Sequence, residues 1–276
     1  MNLSILNLLA LPCEDGVRRS YLGQKFSKMP GNSEERSSPT EYVYGDNLRK
    51  ADWNAYAKTG VLHVHRSLAY SPLEVRLVHN DSPVMLYGTE ISKNEVQIAA
   101  YTSLAYIGMR DNAVVTLETE NRRQKLKAGD LANLESMVKP LHWDSSPTYD
   151  ATISKLAHSC GESLIVFAAD IRTSEKTLSL LRTLSMNNLV CVLLIADPSE
   201  LFLKSAGTLL FRDPLTGETG TYNSGSRSLV RDYNKLAEEK YCAVRDRLQN
   251  MGAFIVELDT TSQIDSVLGT RLPRRV

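Results

Sequence analysis

The sequence predicts an α/β fold: a doubly wound, mostly parallel six-stranded sheet flanked by helices, with an N-terminal helix and strand extension laid against it. Three observations predict it. From residue 75 onward, apolar runs alternate with helical patterns. Several runs, such as LIVFAA at 164–169 and LVCVLLIA at 189–196, lack polar alternation, as strands buried on both faces do. Three runs also stop abruptly at oxygen-bearing side chains. Asn80, Asp81 and Ser82 follow the first, Asp170 follows VFAA and Asp197 follows LLIA. Open parallel sheets bind ligands outside the carboxyl ends of their strands, so these tips are the first place to seek function.

Composition narrows the partner classes. Lys+Arg 32 balances Asp+Glu 32, so no basic excess draws the 276-residue chain to nucleic acid or to an anionic membrane. Cys13, Cys160, Cys191 and Cys242 are far apart, with no C-x-x-C pair, and read as reduced thiols of a cytoplasmic protein. No run reaches the ~18 apolar residues of a membrane span. The opening MNLSILNLLALPC has no basic n-region and is broken by Asn7. It reads as a short helix packing Leu3, Leu6 and Leu9 or Leu11 on its neighbours.

The elements follow in order. Residues 27–41 carry Gly, Pro, Ser and charge without a period and read as a loop. Asp46 is a good N-cap for a helix from Asn47, and Gly60 is placed to end that helix in a left-handed conformation. VLHVHR, 61–66, alternates like a strand. VRLVH, 75–79, is a buried strand. The helix 92–110 follows, with Val96, Ala100, Leu104 and Ile107 on one face. AVVTLE at 113–118 is a strand, and RRQKLKAG adds a short antiparallel edge. Helical stretches lie near 130–138 and 149–160. A strand at 163–169, a helix at 174–186 capped by Thr173 or Ser174, and a strand at 189–196 come next. A polar hairpin at 208–222, a long helix at 226–250 and the strand 253–258 close the pattern.

The stretch EYVYGDNLRKADWNAYAKTGVLHVHR, 41–66, supplies Tyr42, Gly45, Asp46, Arg49, Asp52 and Trp53 at the spacing of a known signature. FAAD, ADPSELF, FRDPLTGE and AFIVELDTT follow in order. With these motifs the chain resembles the domain-of-unknown-function 58 family, whose members are von Willebrand factor A-like. The resemblance implies a family-motif extension over 1–70 and a von Willebrand factor A-like domain over 71–276. It also implies a magnesium site built from an Asp-x-Ser-x-Ser loop, a later threonine and a later aspartate. Magnesium suits such a loop because it wants hard oxygens in octahedral geometry. Here the loop positions map to Asn80, Ser82 and Val84, the threonine to Thr148 and the aspartate to Asp170. An amide and a hydrocarbon replace a carboxylate and a hydroxyl, so the metal site is degenerate. Asp81 is adjacent but one residue out of register, and it remains a weak candidate ligand beside Asp170. Further departures from the signature are Asn47 for its second Asp, and Glu35-Arg36 where Glu-Phe is usual. The implied function is a non-enzymatic protein-interaction module, an adaptor or co-chaperone of a MoxR-type AAA+ ATPase. The crevice of Asn80, Ser82, Thr148 and Asp170 would be its protein-binding site. The alternative is a metal-dependent hydrolase of a phosphoester at the same crevice, using Asp81, Asp170 and Asp197.

Other features carry weaker chemistry. Arg49 and Asp52, three apart on the predicted helix, pair or join Trp53 in a docking surface. The plainer expectation is that they pin the extension to the sheet, with Trp53 buried. His63 and His65 on one strand face lack a third ligand nearby, and His79 reads as a packed strand-end histidine. GTEISKNE lacks the spacing of a phosphate loop, and there is no Gly-x-Ser-x-Gly elbow. The loop 212–227 reads as an exposed hairpin or a protein-binding loop, and RLPRRV as a basic mobile tail.

Overall fold

Two helical layers cover the two faces of a six-stranded sheet in the computed structural model, which describes residues 2–12, 24–30, 36–44, 48–120, 122–138, 140–143, 146–159, 163–204 and 207–274. The strands are β1 (Gln24–Pro30), β2 (Arg36–Glu41), β3 (His63–Pro72), β4 (Glu74–Val78), β5 (Val114–Thr119), β6 (Arg122–Lys125), β7 (Leu164–Ala169), β8 (Leu189–Ala196), β9 (Thr208–Arg212), β10 (Thr219–Asn223) and β11 (Phe254–Asp259). The helices are α1 (Leu3–Leu6), α2 (Trp53–Thr59), α3 (Lys93–Arg110), α4 (Leu134–Met137), α5 (Tyr149–Ser159), α6 (Glu175–Ser185), α7 (Pro198–Leu201), α8 (Arg227–Asn250) and α9 (Ile264–Arg271).

The central sheet runs β11-β8-β7-β4-β5-β6. All its pairs are parallel except β5 with β6, the short antiparallel edge that RRQKLKAG predicts. The chain leaves β4 for β5 on one side and later returns to pair β7 on the other, with Val78 opposite Phe167. Strand order therefore reverses between β4 and β7, which is where open parallel sheets bind ligands.

Alternation within the buried strands builds both layers. Val166 and Ala168 face the layer that includes Leu6, Tyr101, Leu104 and Leu268. Ile165, Phe167 and Ala169 face Ile153, Leu156, Leu181 and Leu248. Each such aliphatic or aromatic side chain contributes about 1.5–3 kcal/mol by leaving water. Residues 2–12 belong to the first layer: Leu6, Leu9 and Leu11 are buried in it, whereas Leu3 is half-exposed. A separate three-stranded antiparallel sheet, β1-β3-β2, occupies part of 24–72, and β9 pairs with β10 as the predicted hairpin.

Three expectations need correction. Residues 27–41, read as a loop, contain the end of β1 and the whole of β2, both paired with β3. The helix predicted from Asn47 is a 3-10 turn over Leu48–Lys50 followed by α2, and Asp52 is the N-cap, its carboxylate accepting from the Ala55 amide at 3.0 Å. Gly60 does end α2 in the left-handed region, at φ 71°. The basic C-terminus is not a free tail through Arg274. Arg274 bridges Leu9, the Ala10 amide donates to the Pro273 carbonyl at 2.8 Å, and Leu272 is buried. The predicted cap Asp46, with Gly45, Cys13 and Cys160, lies outside the described residues.

Candidate functional site

The β4 tip is locked before it can present itself. The Asn80 side-chain amide donates to the Ala168 carbonyl at 2.8 Å and so ties β4 to β7, two residues before Asp170. Its side-chain oxygen accepts from the Ser82 amide at 3.0 Å, which is the turn chemistry of an Asn at a chain reversal. Ser82 then caps the 3-10 turn Pro83–Leu86, its hydroxyl accepting from the Val84 amide at 3.4 Å. Gln97 of α3 clamps the same tip. Its carbonyl accepts from the Asn80 amide at 3.0 Å, and its amide donates to His79 Nδ1 at 2.8 Å. Burial lowers the His79 pKa to about 4, with the Asp81 carboxylate opposing the shift. The ring is therefore neutral, and its buried Nε2 has no hydrogen-bond partner.

Asp81 turns the other way. Its carboxylate accepts from the Thr148 amide at 2.8 Å, the Thr148 hydroxyl at 2.5 Å and the Tyr149 amide at 3.1 Å. These donors open α5, where unsatisfied amides and the helix dipole favour a carboxylate. Tyr149 in turn packs against Phe167, ring centroids 5.4 Å apart. The predicted threonine thus meets Asp81 and not the Asn80–Ser82 register.

At the β7 tip stands a cation that the sequence reading overlooked. Lys93, the first residue of α3, is fully buried. Its Nζ lies 2.8 Å from Glu200 Oε1 and 3.5 Å from Asp170 Oδ2. Burial pushes the Glu200 carboxyl up, and the Lys93 ammonium offsets only part of that push. Asp170 Oδ2 is buried and makes no hydrogen bond, so the neighbouring ammonium is its compensation. The turn that delivers Lys93 depends on Gly88, where a Cβ would fall 1.9 Å from the Ile91 carbonyl oxygen.

Asp197 completes the arc. It caps α7 and is wholly buried. Its carboxylate accepts from the Thr89 amide at 2.6 Å, the Thr89 hydroxyl at 2.8 Å, the Ser199 amide at 2.8 Å, and the Ser199 and Thr260 hydroxyls. These bonds make Asp197 a helix cap and a link between three segments, not an open ligand.

The four predicted crevice residues therefore gather at one end of the sheet, but Asn80, Ser82 and Asp170 expose 6% or less of their surface. They form a closed floor, which corrects the expectation of direct contact through Asn80 and Ser82. The donor set does not suit magnesium. Asn80 Oδ1, both Asp81 oxygens and both Asp197 oxygens are already accepting, and Val84 is buried hydrocarbon. A divalent ion on Asp170 Oδ2 would stand within roughly 5 Å of the Lys93 ammonium and meet about 7 kcal/mol of repulsion at an effective dielectric near 20. Among the described residues, no three His, Cys, Asp or Glu side chains are grouped to hold a metal ion.

The rim is open. Tyr87 is 40% exposed and Phe202 59% exposed. Arg172, just past Asp170, holds the β9–β10 hairpin through Asp213 at 2.6 Å, and that guanidinium keeps the Asp213 carboxyl below its usual range. Between hairpin and α8 lies a groove of about 870 Å³ lined in part by Leu203, Phe211, Tyr222, Leu229 and Leu236.

The motif residues of the extension sit elsewhere. The Tyr42 amide donates to the Leu62 carbonyl, and the Asp52 amide to the His63 carbonyl, both at 2.8 Å. Arg49 lies on the 3-10 turn, so it does not share a helix with Asp52. Trp53 is 61% exposed and meets Tyr56 edge-to-face, which overturns its expected burial. Trp53→Ala is accordingly expected to change unfolding free energy by less than about 0.5 kcal/mol in urea denaturation. Side-chain placement of His65 lies outside the described residues, and His63 Nδ1 is 2.9 Å from the Val61 carbonyl.

Lys93, Gln97, Glu200, Thr89 and Thr260 were missed in the sequence. One signal existed for Lys93: a basic residue in the first turn of a helix opposes the dipole and calls for a compensating reason.

Comparison with known proteins gives a family. The profile described as Protein of unknown function DUF58 matches residues 38–242. Uncharacterized protein Rv1480 of Mycobacterium tuberculosis and Uncharacterized protein Mb1516 of Mycobacterium bovis are each 22% identical over 260 residues, covering 89% of this chain and 80% of theirs. Among solved structures, the conserved hypothetical protein BatB from Bacteroides thetaiotaomicron is similar with TM-score 0.37 and 11% identity, over 72% of this chain and 96% of that one. An aerotolerance-related membrane protein from Bacteroides fragilis is similar with TM-score 0.35 and 17% identity, over 65% and 98%. No helix among the described residues is long and apolar enough to cross a membrane.

Proposed function

This chain belongs to the DUF58 family, and we propose that it is a von Willebrand factor A-like protein-interaction module, a cytoplasmic adaptor of a MoxR-type AAA+ ATPase. The observation that supports this reading best is the division between a floor closed by its own hydrogen bonds and a rim of exposed apolar groups. Asn80, Ser82 and Asp170 shape the crevice from beneath. Tyr87, Phe202 and the hairpin residues Leu210 and Tyr222 face outward beside it. Exposed aromatic and aliphatic side chains at a polar notch suit a protein surface, where such groups supply most of the binding energy.

The alternative reading, a metal-dependent phosphoester hydrolase, draws on three aspartates at one sheet end. Asp81 and Asp197 have both oxygens committed to internal donors, and Asp170 is paired with Lys93, so this geometry favours the adaptor. The test is association of the purified chain with its MoxR-type ATPase, followed by calorimetry. Binding that falls at least tenfold, about 1.4 kcal/mol, in a Tyr87→Ala/Phe202→Ala variant is expected. No binding, or binding indifferent to both changes, would count against the reading.

A further inference from the structure

We infer that the ammonium of Lys93 is the resident cation of the strand-tip crevice, doing permanently the charge-balancing task that a bound divalent ion would otherwise perform. Four observations on the same residues carry this inference. Lys93 is fully buried, which an ammonium tolerates when anions surround it. Two carboxylates from different strand tips, Asp170 after β7 and Glu200 in α7 after β8, converge on its Nζ at 3.5 and 2.8 Å. Asp170 Oδ2 is buried with no hydrogen bond, and Oδ1 accepts from the Thr173 hydroxyl at 3.4 Å, so Lys93 supplies the positive charge beside this carboxylate. The lysine occupies the first position of an 18-residue helix, the end where the dipole disfavours a cation, so local helix energetics do not explain it.

The surroundings agree. The oxygens a metal would need are spent on the protein itself: Asn80 Oδ1 on the Ser82 amide, the Asp81 carboxylate on Thr148 and Tyr149. Tyr87 closes one side, its ring centroid 6.0 Å from Nζ. A lysine cannot dissociate as an ion can. The crevice therefore keeps its cation whatever the supply of magnesium or chelator. This inference concerns the chain alone and stands or falls independently of the adaptor reading.

The test is thermal unfolding of the full chain in EDTA and in millimolar magnesium or manganese, with calorimetric titration of the same ions. For the wild type, a melting-temperature change below about 1 °C and no one-to-one binding heat are expected. Lys93→Met should lower the melting temperature by roughly 10 °C, because it strands the buried Asp170 carboxylate and the partly buried Glu200 carboxylate. Adding Glu200→Gln should recover at least about half of that loss, because it removes one of the stranded charges. A wild type that takes up magnesium or manganese stoichiometrically and melts several degrees higher would overturn the inference, as would a double variant no more stable than Lys93→Met. Should Lys93→Met fail to fold, the wild-type titration decides by itself.

Discussion

Asp197→Ala is expected to lower unfolding free energy by about 4 kcal/mol, read as a shift of the urea midpoint at unchanged slope. The carboxylate gathers donors from three segments far apart in sequence: Thr89 before α3, Ser199 in α7 and Thr260 after β11. Truncation leaves those donors facing a small void, and hydrogen bonds to a buried charge are among the costly ones to leave unmade. It also removes the N-cap of α7. Asp197→Asn keeps the shape and one acceptor, so it should lose less than half as much. Acid titration separates this residue from others. Burial alone would raise its carboxyl, but donors from Ser199, Thr260 and Thr89 outweigh burial and hold it at about 2. A carboxyl depressed by folding stabilises fully above its unfolded value near 3.9 and loses that contribution as pH falls through the folded value. The Asp197 contribution should therefore persist to pH 4 and vanish toward pH 2.

Acidification to pH 4 is expected to cost about 3 kcal/mol through His79 alone. The ring is lowered from 6.5 to about 4 by burial, while the unfolded chain titrates near 6.5. Between those values the unfolded state holds a proton that the folded state refuses. Stability is thus complete above 6.5 and falls by at most about 1.4 kcal/mol per pH unit on the way down to about 4. His79→Gln keeps an acceptor for the Gln97 amide but cannot titrate. Its stability should be flat over that window, and parallel slopes for wild type and variant would contradict the assignment. The two pH windows do not overlap, so one set of denaturation curves reads both residues.

Strands and most helices were legible because burial writes itself locally. LIVFAA is buried along its full length and LVCVLLIA from Val190 onward, and Ser92, Ser174 and Gly60 cap where their chemistry says they should. The meeting of β4 and β7 was expected from the family resemblance, which groups Asn80 and Ser82 with Asp170, whereas the polar ends of three apolar runs do not say which strands are neighbours. What failed were inferences about reach. Lys93 and Glu200 are 107 positions apart, and although Glu200 lies in ADPSELF, nothing in that motif names Lys93 as its partner. Trp53 was expected inside because large aromatics usually are, yet α2 buries none of its residues. Asp46 and Asp52 are equally good caps by type, and choosing Asp52 depends on its amide pairing with the His63 carbonyl. The basic tail looked free because the chain's first and last segments cannot be seen to meet until Ala10 bonds Pro273.

The claim on which the functional account turns is that a partner docks at the rim of the β4 and β7 tips while the floor beneath stays closed. Amide hydrogen exchange of the chain, alone and with the MoxR-type ATPase proposed as its partner, tests this directly. Added protection across 79–89, 146–150, 170–174 and 198–203 is the predicted result. Protection confined to the opposite end of the sheet, or to the face of α1 and α9, would contradict it.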